Sequence, residues 1–211
     1  MTGIKLPAKR LVAPVLLGLS LSACVGTPYS GPVEVTRFVS QEPVGIGQGP
    51  IVISFPEEMS NLRAKEAFYD AVAAQLVALG YAIAVDNEPG MQTARVTTTR
   101  SPLAPASSRG PISVGVGGRT GSFGSGLGVG IGIDLGGNTS KPNALSELSV
   151  RISDAAGNSL WEGRAQQAVS INSPYADVDA SARALAAALF KDFPGGNGET
   201  VTIELDELQE Q

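Results

Sequence analysis

Hydrophobic residues along this chain fall mostly into short runs with a period of two, broken by two stretches with helical spacing. The segment Val33-Glu34-Val35-Thr36-Arg37-Phe38-Val39 alternates and predicts a strand. A Gly/Pro-rich link over residues 43–50 leads to Ile51-Val52-Ile53-Ser54-Phe55, a short apolar run suited to a buried strand that Pro56 ends. Leu62, Tyr69, Val72, Leu76 and Leu79 then recur at helical spacing, with Phe68 and Ala73 widening the stripe. Ser60 or Asn61 is the predicted N-cap and Gly80 the C-terminal cap. Tyr81-Ala82-Ile83-Ala84-Val85 predicts the next strand, and the threonine-rich residues 94–100 another.

Residues 101–111 contain three prolines and read as loop. Residues 110–137 hold 12 glycines in 28 positions. Leu127, Val129, Ile131, Ile133 and Leu135 alternate there with Gly128, Gly130, Gly132 and Asp134, so the aliphatics share one face of a Gly-rich β-ribbon. Ile112, Val114 and Val116 begin a similar pattern, and a hairpin through residues 119–125 would join the two. Leu148, Val150 and Ile152 alternate in a further strand, Asp154-Ala155-Ala156-Gly157-Asn158 makes a turn, and residues 160–168 return as the partner carrying Trp161. Ser173-Pro174 or Asp177 opens a second helix with Val178, Ala182, Leu185, Leu189 and Phe193 in its stripe, ended by Pro194-Gly195-Gly196. Residues 201–205 are a last short strand before an acidic tail, 206–211, expected to fray. Strands and two helices in this order predict an α+β fold: a mixed or mainly antiparallel sheet, with both helices packed on one face and the ribbon attached. Residues 33–205 form the expected single domain.

The N-terminus carries an address. Lys5, Lys9 and Arg10 precede an apolar run over residues 11–21, which as a helix would rise only about 16 Å, roughly half a membrane span. Pro14 lies inside it, and the layout is that of a signal peptide covering residues 1–23. The run closes on Leu21-Ser22-Ala23-Cys24, whose cysteine is the only one in the chain. This resembles the lipobox of bacterial lipoproteins, which implies lipidation of Cys24, signal cleavage after Ala23 and acylation of the new amino terminus. Several acyl chains make a durable membrane anchor where one is marginal. Residues 24–32, with Gly26, Pro28, Gly31 and Pro32, are the expected tether. Val25 follows the cysteine, where aspartate would resemble an inner-membrane retention signal. The implied destination is therefore the outer membrane, with the domain facing the periplasm. Ordinary secretion, or a cysteine buried in a core, are the plainer alternatives.

Composition narrows the chemistry. The chain has no histidine, which removes Ser-His-Asp and Cys-His nucleophile systems and His/Cys zinc sites; a single cysteine removes an internal disulfide. The formal charge of the whole chain is −5; loss of three basic residues with the signal peptide moves it to about −8. An acidic domain with no basic cluster is a poor match for nucleic acid. The ribbon contains neither G-x-G-x-x-G nor a Walker A spacing, so no nucleotide is expected. No cofactor or metal is expected either. Glu57 with Glu58, and Asp177 with Asp179, are the conceivable acid/base pairs, but each sits at a predicted helix start, where anions are stabilised electrostatically. Asp154 reads as a turn residue, since the other ligands of a calcium loop are missing. Trp161 could stack on a glycan, although its place in the alternation favours a half-buried sheet position. Asn138-Thr139-Ser140 matches a glycosylation sequon that has little meaning in a bacterial lipoprotein.

Taken together, the lipobox, the Val35 to Phe38 strand, Leu76 through Gly80-Tyr81, the stretch SVRISDAAGNSLWEG from Ser149 to Gly163 and the closing Leu189-Phe190-Lys191-Asp192-Phe193-Pro194 resemble bacterial envelope lipoproteins with the domain of unknown function numbered 4136. The resemblance implies a lipid-anchored α+β periplasmic domain and assigns no catalytic residue. The expected role is a non-enzymatic binding or envelope-integrity module with an envelope protein or glycan as partner. The alternatives are a carboxylate-dependent cell-wall glycan hydrolase, or an assembly protein that pairs through the Gly-rich ribbon, whose flat strands are a template for edge pairing.

Overall fold

The computed structural model describes residues 27–41, 43, 45–86, 88–103 and 142–209. Ala23 and Cys24, the ribbon 110–137 and the sequon at Asn138 lie outside the described residues. Among the described residues seven strands and two α-helices follow one another as β1 (Ser30–Val39), β2 (Gly49–Ser54), α1 (Leu62–Ala78), β3 (Tyr81–Ala84), β4 (Gln92–Pro102), β5 (Ala144–Ser153), β6 (Ser159–Val169), α2 (Val178–Phe190) and β7 (Thr200–Ile203). They form one sheet in the order β3-β2-β4-β5-β6-β1-β7. Pairing is antiparallel except where β2 lies parallel to β3 and β4. The fold is α+β, with the sheet mixed but mostly antiparallel.

Period-two alternation sorts the sheet into two faces. Val33, Val35, Ile51, Ala94, Val96, Leu148, Val150, Ile152, Trp161, Ala165 and Ile203 turn to one side and join α1 and α2 in a single core. In α1, Ala67, Phe68, Ala71, Val72 and Leu76 are buried, whereas Leu62, expected to start the stripe, is exposed because the first turn of the helix runs past the core. Asn61 caps its start by accepting from the Ala64 N–H at 3.1 Å, and Gly80 sits just past its end at φ +105°. A Cβ on Gly80 would lie 3.0 Å from the Gly47 carbonyl oxygen, so that position needs glycine twice over.

Both proposed starts of the second helix are used, in sequence. Ser173 caps a short 3-10 turn (Pro174–Ala176) by accepting from the Tyr175 N–H, and Asp177 then caps α2 by accepting from the Asp179 and Ala180 N–H groups. The helix stops at Phe190, three residues before Phe193, which corrects the expected stripe. It is also buried over more than a stripe, because Ser181, Ala184, Ala186 and Ala188 are covered as well as Ala182, Leu185 and Leu189. Small side chains on these flanks let α2 sit centrally, with the sheet beneath and α1 beside it.

One cluster locks α2 to the sheet. Trp161, fully buried, stacks on Phe190 at 5.3 Å between ring centres and leans on Phe193 at 5.2 Å. Its indole N–H donates to the Pro194 carbonyl at 2.9 Å. The neighbouring row position is Gly163, where a Cβ would fall 2.3 Å from the Trp161 ring and 2.7 Å from Leu189. Next in that row, Arg37 is 95% buried and donates to the carbonyls of Leu189 (2.9 Å), Ala188 (2.9 Å) and Lys191 (2.8 Å). The Ala188 and Leu189 carbonyls belong to the last turn of α2 and the Lys191 carbonyl to its C-cap, and that turn has no basic residue of its own. Burial pushes the guanidinium below its ordinary pKa, and nearby Asp192 opposes the shift.

The chain termini of the domain differ from expectation. Ser30 to Pro32 belong to β1, not to a tether; a register shift between Ser30 and Val33 accommodates Pro32, and Gln167 donates to the Gly31 carbonyl at 2.9 Å. The start of the acidic tail is docked: Lys191 pairs with Glu207, Gln209 closes a turn on Asp206, and Leu208 packs on the core. β4 and β5 stay in register out to Pro102 opposite Ala144, and the Leu103 N–H donates to Asn143 at 2.9 Å.

Arg37→Met is expected to lower the unfolding free energy by about 3 kcal/mol, read from urea denaturation, because three charge-assisted hydrogen bonds are lost from a buried helix end. Gly163→Ala should cost about 1–3 kcal/mol through overpacking against Trp161, with quenching or shift of the single-tryptophan fluorescence as an independent readout.

Candidate functional site

The sheet face opposite the helices is polar, and among the described residues no helix packs on its centre. Its positions, read through the strand register, are Ser54 on β2, Thr93, Arg95, Thr97 and Thr99 on β4, Glu147, Ser149, Arg151 and Ser153 on β5, and Glu162 and Arg164 on β6. One row crosses five strands: Ser54 opposite Arg95, Arg95 opposite Arg151, Arg151 opposite Glu162, and Glu162 opposite Phe38. Two arginines therefore face one another directly across β4 and β5, an arrangement that costs stability unless another charge compensates it.

At that row the sheet surface dips into an open groove of about 550 Å³. Ser54, Thr93, Arg95, Arg151 and Ser153 line the strands within it, while Glu88 to Met91 and the Asp154 turn make its walls. The acids around it are mostly engaged. Glu162 pairs with Arg151 at 2.7 Å and accepts from the Ser159 hydroxyl at 2.9 Å. Glu147 pairs with Arg164 at 3.6 Å and accepts from the Gln166 amide. Asp154 accepts from the Ala156 N–H (2.9 Å), the Asn158 N–H (2.8 Å) and the Asn158 side-chain amide (2.9 Å). These bonds, the Asn158 amide foremost, hold its carboxyl below the usual carboxylate range. It is a turn residue, as the sequence predicts. Among the described residues Arg95 has neither an ion pair nor a hydrogen-bonded side-chain partner, and Glu88 is the one groove carboxylate without one.

The other predicted candidates are placed elsewhere and are not brought together. Glu57 and Glu58 are exposed in a turn ahead of Asn61, outside the first turn of α1. Asp177 and Asp179 do sit at the start of α2, where Arg63 of α1 reaches both, at 3.8 and 2.7 Å. The hydrogen bond from the Ala180 N–H leads in holding the Asp177 carboxyl low, with Asp179 N–H, Arg63 and Arg183 adding to it. Asp179 also borders a cleft of about 300 Å³ with Arg63, Glu66, Ala67 and Asp70, and its partner there is the Arg63 guanidinium. Trp161 offers no glycan a ring face, because its whole side chain is inside the core. The arginine pair escaped the sequence reading. Its signal lay in the alternation of Ala94/Arg95/Val96 and Val150/Arg151/Ile152, which puts both arginines outward at positions that antiparallel register makes neighbours.

No family model matches the chain, and no curated protein matches it. Among solved structures it is similar to a PDZ domain protein from Parabacteroides distasonis ATCC 8503, with 13% identity over 82% of this chain and a TM-score of 0.49. The chain spans 39% of the length of that protein. It is also similar to the PelC dodecamer from Paraburkholderia phytofirmans in two crystal forms. Identity there is 13% and 12%, coverage 74% of this chain and 92% and 93% of the other, and the TM-score 0.34 in both.

Asp154 and Asp177 have depressed native pKa values, so their stabilisation is complete above the unfolded carboxylate value near about 3.9 and is lost as pH falls through the lower native value. Asp177→Ala should therefore melt below wild type at neutral pH. The gap should narrow when thermal melts are repeated at successively lower pH through that window.

Proposed function

We propose that this chain is an outer-membrane lipoprotein, anchored through lipidated Cys24 and facing the periplasm, whose domain is a non-enzymatic binding or envelope-integrity module. The observation that carries the anchor is the sequence Leu21-Ser22-Ala23-Cys24 behind a basic, then apolar, leader, with no other cysteine in the chain. The resemblance to envelope lipoproteins with the domain of unknown function numbered 4136 supports the same reading. The binding role draws support from the division of labour in the sheet. One face is spent on the core, whereas the other presents arginine, threonine, serine and glutamate side chains around an open groove. An envelope protein or glycan is the expected class of partner.

The hydrolase alternative draws less support. It needs two carboxyl groups about 5–10 Å apart across a cleft, one of them protonated. Of the two pairs singled out, one stands in an exposed turn and the other caps a helix and binds Arg63. Pairing through the Gly-rich ribbon keeps its sequence support, the alternation of aliphatics and glycines over residues 127–135.

Cys24→Ser should move the protein from the membrane fraction to the soluble periplasmic fraction and abolish labelling with a palmitate analogue. Retention in the membrane without label would overturn the anchor. Crosslinking in intact cells from a photoreactive residue at Thr97, on the polar face, should capture a discrete envelope partner. The same probe at Glu66, on the helical side, should not.

A further inference from the structure

We propose that the groove over β4 and β5 binds a phosphate group, with Arg95 as its principal contact and Arg151 beside it. The proposal rests on the reading of the domain as a binding module and names the chemistry its groove selects. Three observations carry it. Arg95 and Arg151 are directly opposed in register, and both line the groove. Opposite residues in an antiparallel pair have Cβ atoms about 5 Å apart, so two like charges there repel unless an anion lies between or above them. Glu162 is tied to Arg151 and Glu147 to Arg164, while Asp154 is held in its own turn and Glu88, on the groove wall, makes no ion pair with either arginine. That leaves the Arg95 charge without a protein partner among the described residues, at the floor of a concave site.

The hydroxyls of Ser54, Thr93 and Ser153 line the same groove and add donors around that charge. A guanidinium fork plus several hydroxyls offers more donors than the two oxygens of a carboxylate can take, and suits the three oxygens of a phosphate monoester. The carboxylates of Glu88 and Asp154 both lie on the walls and oppose an anion, so they tune affinity downward. The groove has the size of a small-ligand site, and a phosphate fills only its floor, leaving room for the group that carries it. The absence of nucleotide motifs in the sequence is compatible with this, since a sheet-surface arginine site uses no glycine-rich loop.

The test uses the full chain in detergent micelles, titrated at low ionic strength and followed by isothermal calorimetry. Inorganic phosphate, glycerol 3-phosphate and acetate are the three probes. Saturable binding of inorganic phosphate or glycerol 3-phosphate, with acetate at least tenfold weaker, is the expected result. A preference for glycerol 3-phosphate marks an esterified phosphate as the natural group, and equal affinity marks free phosphate. Arg95→Gln should weaken binding about tenfold or more, as expected for loss of a charge-assisted contact. Its melting temperature without phosphate should equal or exceed that of wild type, because a repulsion has been removed. Glu88→Gln should tighten binding, and Arg164→Gln, on the same face outside the groove, should leave it unchanged. Binding of acetate as strong as phosphate, no saturable binding of either phosphate probe, or wild-type affinity in Arg95→Gln would each overturn the site. Those results would leave the anchor and the broader binding role standing, because fractionation of Cys24→Ser and the Thr97 crosslink report on them separately.

Discussion

The fold depends on how the end of α2 is held against the sheet. A helix that terminates over a sheet presents its last carbonyls to an interior with no water to satisfy them. Arg37 answers that from β1 by placing one guanidinium on three of those carbonyls. Aromatic packing beside it completes the seam. Its register neighbour Gly163 leaves room for the Trp161 ring, which packs with Phe190 and Phe193 at the same helix end. Even the turn after α2 is shaped by Arg37, since a Cβ on Gly195 would sit 2.7 Å from the arginine side chain.

With α2 fixed in this way, α1 packs beside it and most apolar strand residues face one side, Phe38 and Val52 being on the other. The other side is then free of any role in the core. Arg95 and Arg164 are exposed there and their acidic neighbours half-buried, and ion pairs in contact with solvent contribute little to stability. The opposition of Arg95 to Arg151 is therefore affordable in the folded protein, although it is not favourable. Polar and hydroxyl side chains at this surface are arranged by strand register alone, which makes their spacing rigid.

Much of this was legible in the sequence because period and punctuation agree. The apolar repeat from Leu62 to Leu79 with Asn61 and Gly80 at its ends marks α1 closely, and Asp154 to Asn158 marks the β5–β6 turn. What escaped involves partners distant in the chain. Arg37 sits at an inward position of an alternating strand, where a lone arginine is easily taken for a solvated one; its acceptors are about 150 residues away. Phe193 keeps helical spacing with Leu189 yet lies beyond the helix, because contact with Trp161, not helix continuation, buries it. Gly31 and Pro32 have the composition of a tether, but a register shift admits them to β1. The groove was invisible for the same reason: no local pattern says that β4 and β5, separated by residues 104–141, are neighbours.

The pairing of Pro102 with Ala144, closed by the Leu103 to Asn143 hydrogen bond, bears on how this domain could change over evolutionary time. The chain departs from the sheet and rejoins it at adjacent points, paired directly across β4 and β5. The entropy of closing a loop grows only logarithmically with its length. An insert anchored at such a seam can lengthen, shorten or change composition while the seven-strand framework folds as before. Diversification of surface properties can then proceed at that seam independently of the core.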